Sequence, residues 1–375
     1  MEQMPLPASG PLVDVIAGAR PNFMKIAPIL RAIGQRQAAG SRLRYRLVHT
    51  GQHYDARMSG DFFQQLNIPE PDVNLEVGSG TQAEQTAAIM TRYERLLLDA
   101  RSQACLVVGD VTSTMACAIA AQKLRVPVAH VEAGIRSGDW SMPEEINRLV
   151  TDSITNWFFT TSEVANQNLR TSGARPENIF FVGNTMIDTL LSNLERLRPP
   201  EFWAGAGLRP GGYFVMTLHR PANVDDGEGF ARLIDAVGRA VRGLPVVFPV
   251  HPRTAKTLAA LPQRPAGLLT VDPQPYLEFN YLVRHAKGVI TDSGGVTEET
   301  TVLGVPCVTL RNTTERPETV TIGTNELIGT DPSALEPALA RLFEGRWKQG
   351  AIPPLWDGRT GERIAEELER LLAAA

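Results

Sequence analysis

Three carboxylates in the first half of the chain are placed where they could transfer protons. Asp110 and Glu132 lie at the ends of short apolar runs, and Glu144 lies four positions before Arg148. A helix that begins at Pro143 would put Glu144 and Arg148 on one face, where they can form an ion pair. Arg148 would then hold Glu144 ionised, whereas a desolvated Glu132 would favour its protonated form. Carboxylates in such different environments can serve as general acid and general base.

Each carboxylate also has a structural interpretation. An aspartate followed by hydroxyl residues, as Asp110 is, is typical of a helix N-cap. Glu144 and Arg148 could form an ordinary pair on an exposed helix face. Glu132 is harder to explain in this way, because a carboxylate that ends a buried strand needs a functional reason.

Two histidines repeat this placement in the second half. His219 follows the apolar run at 213–218 and precedes Arg220, and His251 follows the run at 246–250. A histidine beside an arginine can supply a titrating group and a phosphate clamp. A single histidine is more often structural, but two at neighbouring strand ends favour a site.

Two segments are suited to an anion such as a phosphate. Residues 18–25 place a glycine turn, Arg20 and Lys25 near a predicted helix start, although they match neither GxGxxG nor the P-loop. A solvated loop is the alternative there. Residues 291–299 are the more specific segment, because small residues at a helix start let backbone N–H groups approach a phosphate. The key positions of this second segment are Ser293, Gly294, Gly295 and, for ribose hydroxyls, Glu299.

Composition narrows the function classes. The chain has 375 residues, 43% hydrophobic and 21% charged, with a net charge of -4, which is typical of a globular protein of two domains and argues against nucleic-acid binding. The three scattered cysteines form no disulfide framework or metal-ligand pattern, so we expect core cysteines and no bound metal. No apolar stretch is long enough to span a membrane, so we expect a cytoplasmic protein.

Short apolar runs alternate with segments of helical period, which predicts parallel βαβ units. The fold class is α/β, with two Rossmann-like domains whose parallel sheets face a cleft. We predict an N-terminal domain over 1–197, completed by a C-terminal helix at 358–375, a Pro/Gly-rich linker over 198–212, and a C-terminal domain over 213–357. Ligands bind outside the carboxyl ends of such strands, which is where the distinctive residues cluster.

Taken together, these motifs resemble the non-hydrolysing UDP-N-acetylglucosamine 2-epimerases over nearly the whole chain. The motifs occur in order at 18–21, 50–53, 130–134, 143–145, 292–295, 314–318 and 323–325. The resemblance implies the two-domain arrangement of B-type glycosyltransferases, a homodimer and a UDP-sugar substrate. It also implies a reaction without a cofactor, in which UDP leaves and the C2 proton is removed. UDP then adds back to the bound 2-acetamidoglucal as a proton returns to the other face of C2.

The resemblance also implies roles for particular residues. The acid–base set would be Asp110, Glu132, Glu144 and His219. The substrate-binding set would be Arg20, Lys25, Arg136, Arg148, His251, Phe279 (against uracil), Ser293, Gly294, Gly295, Glu299 and Arg316. Gln52 and His53 lie in the stretch that would contribute to an activating substrate site.

Other activities stay open at this point. The sequence departs from the commonest family pattern after His219-Arg220, where Pro221-Ala222 precedes Asn223, and after Asp110, where a threonine run is replaced. The sugar could therefore differ, because related enzymes epimerise a diacetamido uronate, and hydrolysing relatives release free N-acetylmannosamine. A glycosyltransferase with the same architecture and a non-catalytic nucleotide-sugar binder are the rival classes.

Overall fold

A computed structural model describes residues 10–51, 65–250, 252–261 and 265–373, apart from the side chains at 20, 21, 252 and 253. The chain divides into two compact units. The N-terminal unit comprises residues 1–192 and 354–375, and the C-terminal unit comprises residues 193–353.

The N-terminal unit is built on a parallel sheet of seven described strands, in the order β3-β2-β1-β4-β5-β6-β7. The strands are β1 (Leu12–Ala17), β2 (Arg44–His49), β3 (Val73–Asn74), β4 (Ala104–Val108), β5 (Val128–Val131), β6 (Trp157–Thr160) and β7 (Ile179–Phe181). All five residues of β4 are buried, as expected for a strand that is covered on both faces.

The C-terminal unit has a parallel sheet of six described strands, in the order β10-β9-β8-β11-β12-β13. These are β8 (Phe214–Thr217), β9 (Val246–Pro249), β10 (Leu268–Val271), β11 (Gly288–Thr291), β12 (Cys307–Thr309) and β13 (Asn325–Leu327). The predicted fold class, with two Rossmann-like domains of the B-type glycosyltransferase kind, is confirmed.

Helices connect the strands in both units. The described α-helices are α1 (Arg20–Ala38), α2 (Gln82–Asp99), α3 (Thr112–Lys123), α4 (Pro143–Ser153), α5 (Glu163–Thr171), α6 (Thr185–Asn193), α7 (Phe202–Gly205), α8 (Pro221–Val224), α9 (Gly227–Ala240), α10 (Pro252–Ala259), α11 (Tyr276–His285), α12 (Gly294–Leu303), α13 (Pro317–Thr321), α14 (Leu335–Phe343) and α15 (Thr360–Ala373). Short 3-10 helices cover Pro176–Asn178, Leu194–Arg196 and Pro332–Ala334. Local sequence sets some of these boundaries. Thr81 and Glu84, for example, form a reciprocal capping box at the start of α2.

The order of strands locates the edge at which each unit can bind a ligand. In the N-terminal unit β1 lies between β2 and β4, and in the C-terminal unit β8 lies between β9 and β11. The chain therefore changes direction across the sheet at β1/β4 and at β8/β11. Open α/β sheets bind ligands at the carboxyl ends of the strands beside such a switch point.

The sequence predicts domain-boundary roles for two segments, the stretch at 198–212 and the C-terminal helix. The stretch at 198–212 lies within the C-terminal unit, where Phe202 and Trp203 of α7 pack against its core. The C-terminal helix α15 belongs to the N-terminal unit and packs on α1.

The three cysteines are buried, as the sequence predicts. Cys105, Cys117 and Cys307 are all buried free thiols. Within the described ranges, no helix is long and apolar enough to cross a membrane.

Candidate active site

Glu132 directly follows β5 and has an unusual backbone conformation. Its φ is +67°, in the left-handed region that side chains other than glycine rarely adopt. The residue is buried, with 4% of its surface exposed, and its Oε2 lies 2.8 Å from the Nζ of Lys25 on α1. Strained, buried carboxylates of this kind are concentrated at functional sites.

Gly109 makes room for this ion pair. It follows β4 with a φ of +70°, and a Cβ built there would lie 3.1 Å from the Nζ of Lys25 and 3.8 Å from the Oε2 of Glu132. Glycine is therefore required both for the turn and for the close approach of the lysine.

Asp110 lies next to this pair and is held from α4. Arg148 donates to the Oδ2 of Asp110 through Nε at 3.1 Å and Nη2 at 2.5 Å, and the Nδ2 of Asn147 donates to the backbone oxygen of Asp110 at 2.8 Å. The side chain of Asp110 stays 29% exposed. The N-cap of α3 is Val111, so the interpretation of Asp110 as the capping residue is wrong.

The predicted pair between Glu144 and Arg148 is wrong. Arg148 donates instead to Glu145, with 2.7 Å between Nη1 and Oε2, while Glu144 is exposed. The reason is that Glu145 also accepts the backbone N–H groups of Ser137 and Gly138, at 2.9 and 3.0 Å, and so fixes the preceding loop. Burial raises the pKa of Glu145, but these hydrogen bonds and the Arg148 guanidinium outweigh it and hold the pKa below its usual value.

A second network fixes the loop that carries Glu132. Asp152 of α4 accepts from Arg136 (Nη1–Oδ2, 2.6 Å) and from the backbone N–H of Gly134 (3.0 Å). It also contacts the Nδ1 of His130 at 2.7 Å, and the Nε2 of His130 lies 2.8 Å from the oxygen of Gly109. Burial raises the pKa of Asp152, but the hydrogen bonds from His130 and Arg136 outweigh it and lower the pKa overall. Arg136 therefore contacts Asp152 in this structure.

In the C-terminal unit, His219 and Asp292 meet at the ends of β8 and β11. The Nδ1 of His219 lies 2.8 Å from the Oδ1 of Asp292, and the histidine side chain is 54% exposed, whereas Asp292 is fully buried. Ser293, the N-cap of α12, follows directly, and its own side chain makes no capping hydrogen bond to the described helix. Its first N–H groups can therefore bind an anion.

Arginines surround the start of α12. A Cβ at Gly294 would lie 3.8 Å from Glu315, whose carboxylate pairs with Arg311 at 2.7 and 2.8 Å. The Nη2 of Arg220 lies 3.5 Å from Glu315, and its Nε donates to the backbone oxygen of Asp292 at 3.1 Å. Arg220, with 26% of its side chain exposed, is thus a cation beside the helix start. Gly295 lies in the first turn of the same helix.

Glu299 and Arg316 are both buried in the C-terminal unit. Glu299, one turn into α12, accepts from the Nδ2 of Asn280 at 3.2 Å, and burial raises its pKa to about 7. Arg316 pairs with Glu298 at 2.5 Å. Phe279 is half-buried and packs against the core of this unit.

The structure therefore places several predicted residues at the strand ends of each unit, whereas Glu144 is exposed on α4. These residues are Lys25, Asp110, Glu132, Arg136 and Arg148 in the N-terminal unit, and His219, Ser293, Gly294 and Gly295 in the C-terminal unit. Four predicted positions cannot be placed, because Gln52, His53, His251 and the side chain of Arg20 lie outside the described residues. Sequence reasoning missed Asp152, Asp292, Glu145 and Gly109. Asp292 carried a signal, since it is the first polar residue after a buried strand. Among the described residues, no group of His, Cys, Asp and Glu is arranged to hold a metal ion.

Comparison with known proteins agrees with this geometry. The family model for UDP-N-acetylglucosamine 2-epimerase matches residues 35–369. The UDP-N-acetylglucosamine 2-epimerase of Methanocaldococcus jannaschii is 38% identical over 368 residues, covering 95% of this chain and 98% of the relative. The UDP-2,3-diacetamido-2,3-dideoxy-D-glucuronate 2-epimerase of Pseudomonas aeruginosa is 38% identical over 359 residues, covering 95% and 99%.

A solved structure gives the same result. The crystal structure of the Methanocaldococcus jannaschii enzyme in complex with UDP-GlcNAc and UDP has a TM-score of 0.84 and 38% identity, covering 96% of this chain and 99% of that one. The family model and the names of the relatives identify the chain as a nucleotide-sugar 2-epimerase, which is an isomerase. The chain belongs to the UDP-N-acetylglucosamine 2-epimerase family.

Proposed function

We propose that this protein interconverts UDP-N-acetylglucosamine and UDP-N-acetylmannosamine by eliminating and re-adding UDP. The observation that carries the proposal is the cluster of Glu132, Lys25 and Asp110 at the ends of β4 and β5. There a strained, buried carboxylate lies against an ammonium group, next to a second, partly exposed carboxylate. Two such groups can remove a proton from one face of C2 and return one to the other face.

The reaction balances without a redox cofactor. A carboxylate takes the C2 proton as the C1–O bond breaks, and UDP leaves with the bonding electrons. This gives a 2-acetamidoglucal with a C1–C2 double bond. A phosphate oxygen of UDP then bonds to C1 while a second group donates a proton to C2 from the opposite face. We assign the proton transfers to Asp110, Glu132, Glu144 and His219.

The surrounding residues support that assignment in different ways. Arg148 fixes Asp110 through two hydrogen bonds, and Arg136 fixes the loop of Glu132 through Asp152. These two arginines thus act by holding other groups of the N-terminal unit in place. Arg20 and Lys25, near the start of α1, supply two further positive charges for the substrate.

We assign the nucleotide to the C-terminal unit. The start of α12 at 293–295 offers N–H groups and a helix dipole to the diphosphate, and Arg220 offers a guanidinium beside it. Glu299 would accept the ribose hydroxyls, and Phe279 would pack against uracil. His251 and Arg316 complete the proposed contacts. We expect UDP to bind without a metal ion.

The sugar itself is the open part of the proposal. Relatives that act on UDP-N-acetylglucosamine and on a diacetamido glucuronate are equally similar to this chain, at 38% identity each. The diacetamido uronate is therefore the second candidate substrate. The hydrolysing reaction and glycosyl transfer would each form a product that the proposed reaction does not.

One experiment separates these activities. The protein is incubated in deuterated water with either UDP-sugar and without any acceptor, and the products are followed by NMR. We expect deuterium at C2 and a mixture of the two C2 epimers, with UDP still attached. Free N-acetylmannosamine would identify a hydrolase, and the absence of C2 exchange with both sugars would reject the proposal. We further propose that the protein acts in the cytoplasm as a homodimer, which sedimentation would test.

A further inference from the structure

We propose that Asp292 is a positioning residue for the reaction, because its carboxylate fixes the ring of His219 with Nε2 directed to the substrate. This inference rests on the proposed function, in which His219 transfers a proton. Asp292 itself would not touch the sugar.

The two residues are placed by adjacent strands. Thr217 ends β8 and Thr291 ends β11, the two are register partners, and their hydroxyl oxygens lie 2.6 Å apart. His219 and Asp292 follow within two residues of these ends. The contact between them, 2.8 Å from Nδ1 to Oδ1, is therefore built on the ends of two hydrogen-bonded strands.

The other contacts of Asp292 fix the orientation of its carboxylate. The Oδ2 atom accepts from the backbone N–H of Arg220 at 2.9 Å and from the Nδ2 of Asn223 at 3.1 Å. The backbone N–H of His219 lies 3.2 Å from Oδ1 and 3.1 Å from Oδ2. With Oδ2 occupied by two other donors, Oδ1 is the atom presented to the imidazole.

The charge of the carboxylate determines the tautomer of the histidine. Burial raises the pKa of Asp292, but the hydrogen bonds from His219, Arg220 and Asn223 outweigh it and lower the pKa overall. An ionised carboxylate can only accept, so Nδ1 must carry the hydrogen. Nε2 of the neutral ring then has a lone pair, and it lies on the side of a half-exposed ring that faces away from Asp292. A buried carboxylate has the same effect on the histidine of serine-protease triads.

Asp292→Asn tests this arrangement without a change in volume. The amide oxygen should stay with the two donors at the Oδ2 position, which turns the NH₂ group toward Nδ1 of His219. Nδ1 must then accept, and the hydrogen moves to Nε2. We expect kcat to fall by about 10²-fold or more, with KM changed by less than about threefold, because the ring would have the wrong tautomer for proton transfer.

Asn223→Ala is the matched control. It removes another donor to the same carboxylate, at Oδ2, and leaves the contact between Oδ1 and Nδ1 in place. We expect a lower melting temperature with the wild-type tautomer and a kcat within about threefold of wild type. A large loss of kcat in Asn223→Ala with an unchanged tautomer would show that Asp292 acts by holding the loop, which would overturn the proposal.

The direct readout is the ¹⁵N spectrum of the imidazole nitrogens in protein labelled at histidine. The chain has six histidines, and His219→Asn identifies the signals of His219 by their disappearance. At a pH where the ring is neutral, wild-type His219 should carry its hydrogen on Nδ1, and in Asp292→Asn the hydrogen should be on Nε2. A wild-type His219 with hydrogen on Nε2 would overturn the inference even if Asp292→Asn does not fold. A wild-type protein that fails to exchange the C2 proton would instead reject the proposed function.

Discussion

At the scale of single residues, Glu132 is the side chain whose backbone demands an explanation. A left-handed conformation in a residue other than glycine costs about 1–3 kcal/mol. Here it turns a carboxylate out of a buried strand and onto the ammonium group of Lys25, 2.8 Å away. Glycine, which has no Cβ, would relieve the strain but remove the carboxylate, so the conformation is better explained by chemistry than by folding.

We expect Glu132→Gln to lose C2 proton exchange while it keeps the fold and the affinity for UDP. The amide has the volume of the carboxylate but cannot take a proton, and such a step contributes about 10²–10⁴-fold to the rate. Deuterium incorporation at C2 measures the effect. Glu163→Gln is the control, because Glu163 forms a surface ion pair with Arg170. Exchange at the wild-type rate in Glu132→Gln would show that Glu132 is structural.

We expect Glu299 to make UDP binding depend on pH. Burial raises its pKa to about 7, so the free protein holds it largely protonated below that pH. A carboxylate that accepts ribose hydroxyls must be ionised, so UDP should bind more tightly as the pH rises from 6 to 8, by roughly tenfold if only the ionised form binds. The sign for folding is opposite. Because the folded-state pKa exceeds the usual 4.5, Glu299 contributes stability at acid pH that is lost as the pH rises through 7.

Calorimetry of UDP binding between pH 6 and 8 tests this, with Glu299→Gln as the control. UDP has its own titrating phosphate, and the comparison removes that contribution because both proteins bind the same ligand. The difference in pH dependence between wild type and Glu299→Gln should account for the expected tightening. Parallel curves for the two proteins would mean that Glu299 does not titrate on binding.

At the scale of secondary-structure elements, the sequence was most informative about strands. The apolar runs 104–108 and 214–216 lie in strands, because a parallel strand covered on both faces has no polar side to interrupt the pattern. The predicted strands placed Glu132 and His219 just after their carboxyl ends, and the structure has both residues there. Such ends are where open α/β sheets bind ligands.

The sequence did not predict which glutamate of α4 pairs with Arg148, or which groups contact the buried Asp152. Glu144 and Glu145 are neighbours on α4, and both spacings to Arg148 allow a pair. The choice depends on the loop amides of Ser137 and Gly138, which reach Glu145 through tertiary structure. Asp152 was missed for the same reason, since its partners come from β5 and from the loop that follows it.

The turn after β4 gives a prediction at this scale. Gly109→Ala adds left-handed strain and a Cβ that meets the Nζ of Lys25 at 3.1 Å. Gly345 has nearly the same φ, +69°, but a Cβ there would meet nothing within 4 Å. Both substitutions should lower the free energy of unfolding by about 1–2 kcal/mol. Only Gly109→Ala should also lower kcat, because it displaces the lysine from Glu132.

Urea unfolding and the rate of C2 exchange, measured on both variants, separate strain from displacement. Gly345 is the suitable comparison because it follows α14 in the other unit and touches none of the proposed site residues. Equal activity in the two variants would show that Lys25 accommodates the extra methyl group without leaving Glu132.

At the scale of the whole molecule, the chain returns to the unit in which it began. Residues 354–375, which follow the C-terminal unit in the sequence, belong to the N-terminal unit. Helix α15 contributes Ile364, Ala365 and Leu368 to its core, all fully buried. Trp356 is buried as well and donates to the backbone oxygen of Thr161 at 3.0 Å. The unit that carries the proposed acid–base cluster therefore includes a segment far away in sequence.

Gly361 tests the contribution of this segment, because α15 packs against the backbone of α1 there. Its N–H donates to the Oδ2 of Asp188 at 2.7 Å, and a Cβ on it would lie 2.5 Å from the backbone oxygen of Pro28. Backbone atoms cannot move aside as a flexible side chain can, so Gly361→Ala should destabilise the N-terminal unit by about 1–3 kcal/mol. Gly34→Ala is the matched control, since Gly34 also lies in a helix but has open space, and alanine there should stabilise by about 0.5–1 kcal/mol.

Hydrogen exchange read separately over the two units, together with UDP titration, measures the effect. We expect faster exchange across 104–131 in Gly361→Ala, with protection of 288–309 and UDP affinity unchanged. If exchange rises equally in both units, the chain unfolds as one cooperative body, and α15 does not stabilise the N-terminal unit specifically.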